Sequence, residues 1–238
     1  ETYKMPYTGS DSLSSVMAMH KRLAREVFEI SGILTPPAVS IKVGEDIAAK
    51  AAEAGRRTDF PIIVKPVSRG SSLGVGVAKN IYELIENIQK AFAYDDEVLV
   101  EKMIQGREAA CAVLENFRGE PHYALPVIEI VPPARKTIFD YESKYDGQSQ
   151  EICPGRFGAD VNEKIKKAAI AAHQSLGCRH YSRSDFMIDK DNKVYTLELN
   201  TLPGLTIESL YPKAAAAAGL EFTGLIDHLI NLAIKNYP

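Results

Sequence analysis

What this chain has little of narrows its chemistry before any motif is read. Its 238 residues include only three cysteines, Cys111, Cys153 and Cys178. They are too few, too scattered and odd in number for a disulfide framework, and no CxxC pair offers a zinc site. A reducing, cytoplasmic setting is the expectation. The five histidines, His20, His122, His173, His180 and His228, never fall at HxxxH or HxH spacing, so they read as structural or surface groups. Strong net charge is missing as well. Lys and Arg number 28 against 31 Asp and Glu, the net charge is -3 and the pI about 6.0, which gives neither nucleic acid nor an anionic membrane an electrostatic handle. No run of about 18 apolar residues offers a membrane span. The opening ETYKMPYTGS lacks the basic and apolar regions of a signal peptide. What is left, 45% hydrophobic and 25% charged residues, is the composition of an ordinary globular protein, for which small-molecule chemistry is the default.

Along the chain, Val16, Met19, Leu23, Val27 and Ile30 recur at spacings of three and four, which predicts one helix over 12–31 with Gly32 capping its end. TPPAVSI reads as a short strand, GEDIAAKAAEAG as a helix closed by Gly55, and FPIIVKP as a buried strand leading into a glycine-rich loop. NIYELIENIQKAF is an amphipathic helix and EVLVEKMI a strand. EAACAVLEN and HYALPVIEIV are two more strands, split by the turn FRGEP. From Pro132 to Phe157 periodicity dissolves, and a loop of that length in a compact domain is commonly functional. A helix over 160–176, the strands SRSDFMID and VYTLELN, the end of a helix at AAAAAG and a last helix over 222–234 complete the pattern. This is a mixed α and β chain with substantially antiparallel pairing.

Two stretches carry chemistry. In KPVSRGSSLGVG, a strand delivers Lys65 into a loop holding Gly70, Ser71, Ser72, Gly74 and Gly76. Glycines let backbone amides approach an anion, serines add hydroxyl donors and the lysine adds a charge, so the loop suits phosphate although its spacing is not GxxxxGK[ST]. In SDFMIDKDNKVYTLELNTLPGLT, alternation places Arg183, Asp185, Met187 and Asp189 on one face of a strand and Thr196, Glu198 and Asn200 on one face of the next. The short turn makes these strands antiparallel neighbours. Two carboxylates and an amide oxygen are hard ligands suited to magnesium. Glu101 and Glu108, flanking a loop of exposed backbone at KMIQG, could bind an adenine amino group and ribose hydroxyls, although two glutamates taken alone are more often solvated.

These stretches resemble the D-alanine:D-alanine ligases of the ATP-grasp superfamily. MPYTGSDSLSSVMAMHK, PIIVKPVSRGSSLGVGVAK, EVLVEKMIQGRE, IVPPARKTIFDYESKY, LGCRHYSRSDFMI, LELNTLPGLTIESLYPKAAAAAGL and LIDHLI carry the likeness nearly from end to end. It implies an α+β ATP-grasp fold in which two lobes with antiparallel sheets clamp the nucleotide. Residues 1–34 would lead in, 35–105 would form the small lobe, and 106–238 the large lobe with the magnesium and acceptor sites.

By matching position, Lys21 and Lys65 would contact the α and β phosphates of ATP, with Ser71 and Ser72 in the flap above and Ser71 also among the catalytic groups. Glu101 would face the adenine beside the backbone of Met103 and Ile104, and Glu108 would bind the ribose. Asp185, Glu198 and Asn200 would hold two Mg2+, with Mn2+ as a substitute. Lys144 would reach the terminal phosphate, while Arg183 and the Gly204 amide would stabilise an oxyanion. Ser209, with Leu210 beside it, would hold the acceptor D-alanine, and Tyr145 would favour an amine acceptor. The long loop from Pro132 to Phe157 would be a lid.

The implied reaction is ATP-dependent ligation of two D-alanines through an acyl phosphate, for peptidoglycan, in an enzyme that is commonly a homodimer. The chain departs from the pattern in starting near the end of the family's N-terminal domain and in having His20 before Lys21. The alternatives are another ATP-grasp carboxylate–amine ligase, or an ATP-binding fragment inactive without the N-terminal domain.

Overall fold

In the computed structural model, which describes residues 5–132 and 149–235, the first apolar-periodic segment is two helices and not one. His20 ends α1 (Ser12–Met19) and starts α2 (Lys21–Ile30). Its extended backbone breaks the helix, and its ring accepts from the Leu23 amide at 3.4 Å. The break changes which face is buried. Val16, Met19 and Ile30 of the predicted stripe are 62%, 56% and 88% exposed, while Ala18, Ala24 and Phe28 face inward with Leu176 and Leu199. Gly32 closes α2 as anticipated, at φ +75°, with the Ile33 amide donating to the Phe28 carbonyl.

Four strands, β1 (Ala38–Lys42), β2 (Ile62–Pro66), β3 (Gly76–Ala78) and β4 (Glu97–Lys102), form an antiparallel sheet in the order β1-β4-β2-β3. Helices α3 (Ile47–Arg57) and α4 (Ile81–Ala91) cover one face. Asp46 and Asn80 cap them through their side chains, and α3 runs past Gly55, where a stop was anticipated. Period-two alternation divides β2. Ile62 and Val64 enter the core beneath the helices, which leaves Ile63 and Lys65 for the opposite face.

The second sheet is built from β5 (Arg107–Phe117), β6 (Glu120–Ala124), β7 (Ile128–Val131), β8 (Gln150–Ile152), β9 (Tyr181–Ile188) and β10 (Val194–Asn200), in the order β10-β9-β5-β7-β8 with β6 also paired to β5. The stretch HYALPVIEIV is two strands rather than one, parted around Pro126, which has no amide to donate to a ladder. Likewise β8 lies within the segment read as a loop, antiparallel to β7.

Helix α5 (Ala159–Ser175) packs on one face of this sheet against Val113 and Phe186. Helices α6 (Leu210–Ala217) and α7 (Phe222–Lys235) pack on the other, where Tyr211 is wholly buried and donates to the Val113 carbonyl at 2.9 Å. Each such large side chain contributes about 1.5–3 kcal/mol on burial. Small residues at Ala110 and Ala112, on the α6 face of β5, lie beside Asp185 and Arg183 of β9 and leave room for them. Among the described residues no single helix is long and apolar enough to cross a membrane.

Candidate active site

Between the two sheets lies a cavity of about 750 Å3, within the range of small-molecule sites. Its small-lobe wall is cationic and rich in backbone donors. Lys21, at the first position of α2, is tied to that lobe because its amide donates to the Val67 carbonyl at 3.0 Å and its ammonium to the Arg69 carbonyl. Burial lowers the pKa of Lys21, and Glu198 across the cavity only partly offsets this.

Lys65 lies on the cavity-facing register of β2 and pairs with Glu101 of β4. Burial opposes the charge of Lys65, but the attraction of Glu101 outweighs it and raises the pKa. The loop after β2 turns sharply, with Ser71 and Ser72 at φ 53° and 56° and Gly74 at φ 72°. Such left-handed residues direct successive amides away from regular pairing, which makes the loop a cradle for anions. At Gly74 a Cβ would lie 2.6 Å from the Tyr94 ring and 2.8 Å from Pro66, so glycine is required there on two counts.

The large-lobe wall is acidic. Glu108, Asp185 and Glu198 come from β5, β9 and β10, and Glu198 sits directly opposite Asp185 in the ladder. The alternation expected for β10 is broken by a bulge between Thr196 and Glu198. Thr196 is buried, and Leu197 turns to the cavity beside Glu198. Arg183 grips Asp185 at both oxygens, Nε to Oδ1 at 2.8 Å and Nη2 to Oδ2 at 2.9 Å. That carboxylate raises the Arg183 pKa and fixes the guanidinium plane.

The walls meet at residues 103–106. The Met103 amide donates to the Pro61 carbonyl at 3.2 Å, and Gly106 is pressed so closely on the Ile188 carbonyl that any Cβ would overlap it.

Of the residues singled out from sequence, Lys21, Lys65, Ser71, Ser72, Met103, Ile104, Glu108, Asp185 and Glu198 line the cavity. Glu101 does not. At 3% exposure it lies beneath the wall as the partner of Lys65. Asn200 stands opposite Arg183, two residues along the strand from Glu198 and so on the same face, and is outside the lining. Gly204 and Ser209 sit beside each other, since a Cβ at Gly204 would come within 2.8 Å of Ser209 Oγ. That hydroxyl takes the Thr206 amide at 3.2 Å, and Leu210 packs its side chain toward the α6 core. Lys144 and Tyr145 lie outside the described residues.

Met187 lines the cavity on the strand face that alternation assigned to it with Asp185, whereas the rest of the apolar lining, Ile63, Val77 and Leu197, was not singled out from sequence. For Ile63 the signal lay in the period-two pattern of β2, Val77 lies on the short β3, and Leu197 reaches the cavity only through the bulge in β10. Asp185, Glu198 and Asn200 form a hard-oxygen set on one sheet face, which fits a magnesium-type ion.

Comparison with known proteins shows the family and the fold. The family model for the D-ala D-ala ligase C-terminus matches residues 27–231. A D-alanine–D-alanine ligase of Desulfotalea psychrophila is 40% identical over 233 residues, covering 97% of this chain and 71% of the relative. The D-alanine–D-alanine ligase of Bacillus anthracis complexed with ATP superposes with a TM-score of 0.81 at 35% identity, covering 98% of this chain and 72% of that one. The VanG D-Ala:D-Ser ligase of Enterococcus faecalis superposes at 0.84 with 33% identity, covering 96% and 65%. The chain thus spans roughly seven tenths of the length of such relatives.

Proposed function

This chain belongs to the D-alanine–D-alanine ligase family, and we propose that its cavity performs the family's ATP-dependent joining of two D-alanines into the dipeptide used for peptidoglycan, in the cytoplasm. The observation that carries this reading is the opposition of the two walls. Lys21, Lys65 and a donor-rich loop face Glu108, Asp185 and Glu198 across a gap of nucleotide size.

The residues divide the work as follows. Lys21, Lys65 and the amides around Ser71 and Ser72 bind phosphate oxygens, Met103 and Ile104 offer backbone groups to the adenine, and Glu108 takes the ribose hydroxyls. Glu101 acts through Lys65, holding its ammonium charged and in place. Asp185, Glu198 and Asn200 would hold Mg2+, two ions in the full reading. The metal, when bound, supplies neutralisation of phosphate charge and polarisation of the phosphoryl group. The carboxylate of the first D-alanine attacks the terminal phosphorus, giving an acyl phosphate and ADP. The amine of the second D-alanine attacks the acyl carbon, and phosphate leaves with its bonding pair while the amine loses a proton. Arg183, oriented by Asp185, and the Gly204 amide face the oxyanion of that second step, where one preorganised donor is worth on the order of 100- to 1000-fold in rate. Ser209, already fixed by Thr206, receives the acceptor carboxylate. Lys144 and Tyr145 are assigned to the terminal phosphate and the acceptor by likeness alone.

The test is incubation of this chain with ATP, Mg2+ and D-alanine, following ADP release and product mass together. D-alanyl-D-alanine formed stoichiometrically with ADP supports the reading. ATP bound without dipeptide would restrict the chain to nucleotide binding. Turnover only with a different acid or amine would make it another ligase of the same fold.

A further inference from the structure

On the opposite face of the large sheet from the cavity, two imidazoles and a carboxylate converge. His122 of β6 stands directly across from Glu115 of β5, and His173 reaches down from α5. The His173 Nε2 lies 3.3 Å and the His122 Nε2 3.9 Å from the same carboxylate oxygen, Glu115 Oε1. One ligand atom from each of the three lies within 4.8 Å of the others.

Both rings are gripped at their far nitrogens. Ser182 Oγ is 2.8 Å from the Nδ1 of His173, whose side chain is fully buried, and the Gln174 amide nitrogen, Nε2, donates to His122 Nδ1 at 3.2 Å. The Glu115 backbone is fixed at both ends, its amide donating to the His180 carbonyl at 2.9 Å and its carbonyl accepting from His228 Nε2 at 2.8 Å. This leaves two imidazole nitrogens and one carboxylate oxygen aimed at one point. The outer hydrogen bond of His173 to Ser182 can hold that ring as metal-ligating histidines are held, and His122 reaches the same arrangement when the Gln174 amide is turned over.

We propose that Glu115, His122 and His173 form a binding site for a zinc-type divalent cation, with a water in the fourth position. The donor set suits that class. Two nitrogens and one carboxylate oxygen match a four-coordinate zinc shell with Zn–N of about 2.0–2.1 Å, whereas magnesium favours all-oxygen surroundings. Neutral rings supply the lone pairs without net proton loss. His173 carries its proton on Nδ1 toward Ser182, and His122 carries its own on Nδ1 toward the Gln174 amide oxygen once that amide is turned over. Closing the shell needs movement chiefly of His122, the most exposed of the three at 28% against 15% for Glu115. A bound ion would clip α5 to the β5–β6 hairpin.

The experiment is titration of the chelator-stripped chain with Zn2+ in excess Mg2+, which keeps the cavity carboxylates occupied. Stoichiometry is read by equilibrium dialysis, stability by thermal melting, and coordination from the visible spectrum of the Co2+-loaded protein. One Zn2+ per chain, an upward melting shift of several degrees and four-coordinate Co2+ bands are expected. His122→Ala should weaken binding at least about 100-fold, since losing even an outer partner of a metal ligand costs up to that much. Glu115→Gln should weaken it too, and circular dichroism and ATP binding should report both variants folded. Failure to retain Zn2+, or retention that survives His122→Ala and disappears in Asp185→Asn, would overturn the proposal.

Discussion

The two walls of the cavity hold opposite charges and are made by opposite means. On the small-lobe side the donors sit on a loop whose backbone is left-handed at Ser71, Ser72 and Gly74, and on the first residue of a helix. On the large-lobe side the acceptors sit in paired strands, where Asp185 and Glu198 face each other across a ladder. The difference teaches that a phosphate grip is a matter of backbone shape and composition, whereas a metal grip is a matter of register. A slip of one residue in β9 would turn Asp185 into the α5 core and bring Phe186 to the cavity.

The comparison breaks most sharply at Asp185. Asp185→Asn keeps a hydrogen-bond acceptor for Arg183 but removes the charge, so ligation should fall on the order of 100- to 1000-fold and stability should fall too, by up to about 3–5 kcal/mol, because Arg183 loses its buried partner. Rate and melting measured on one preparation check this.

On the opposite wall Lys65→Met strands the Glu101 carboxylate beneath the cavity, which should cost about 3–5 kcal/mol of stability and weaken ATP binding. The double variant with Glu101→Leu should regain most of the stability in urea titration without regaining the nucleotide. If both recover together, Lys65 is structural only.

Where the walls join, Gly106→Ala should destabilise by about 1–3 kcal/mol, because the methyl meets the Ile188 backbone and not a yielding side chain. Thermal melting with and without ATP tests this, and an unchanged protein would mean the joint yields freely.

The smallest effect is with pH. A lysine binds phosphate while protonated. Lys21, whose pKa lies below the ordinary 10.5, should therefore lose its proton first as pH rises, and Lys65, whose pKa lies above it, last. ATP affinity should fall a few-fold in an earlier alkaline step, and Lys21→Arg should remove that step alone, as read by calorimetry across the alkaline range.

Much of this was legible in the chain. The strand-to-loop passage from Lys65 to Gly76 and the pair SRSDFMID and VYTLELN were placed because composition and alternation are local signals. What escaped was decided by partners distant in sequence. The helix over 12–31 divides because His20 caps the turn that brings Lys21 to the small lobe, and the visible apolar stripe is largely left outside. Glu101 and Glu108 looked alike. A salt bridge to Lys65 takes the first out of the cavity, and the position of Glu108 opposite Met187 keeps the second in it.

The same distinction explains the histidines, which no local spacing connects. His122 and His173 meet at Glu115 only because β6 pairs with β5 and α5 lies across them. By itself the sequence determined most of the elements, the glycine-serine loop after Lys65 and the two facing carboxylates, since propensity, turns and period-two alternation act over a few residues, but not the break at His20, the division of HYALPVIEIV or β8. Only the tertiary structure decided which charges are paired, which faces are buried and what converges across the sheets. Those outcomes depend on register, bulges and packing between residues far apart in sequence, such as Gly9 with His180 and Ser15 with Thr201, the latter 186 positions apart.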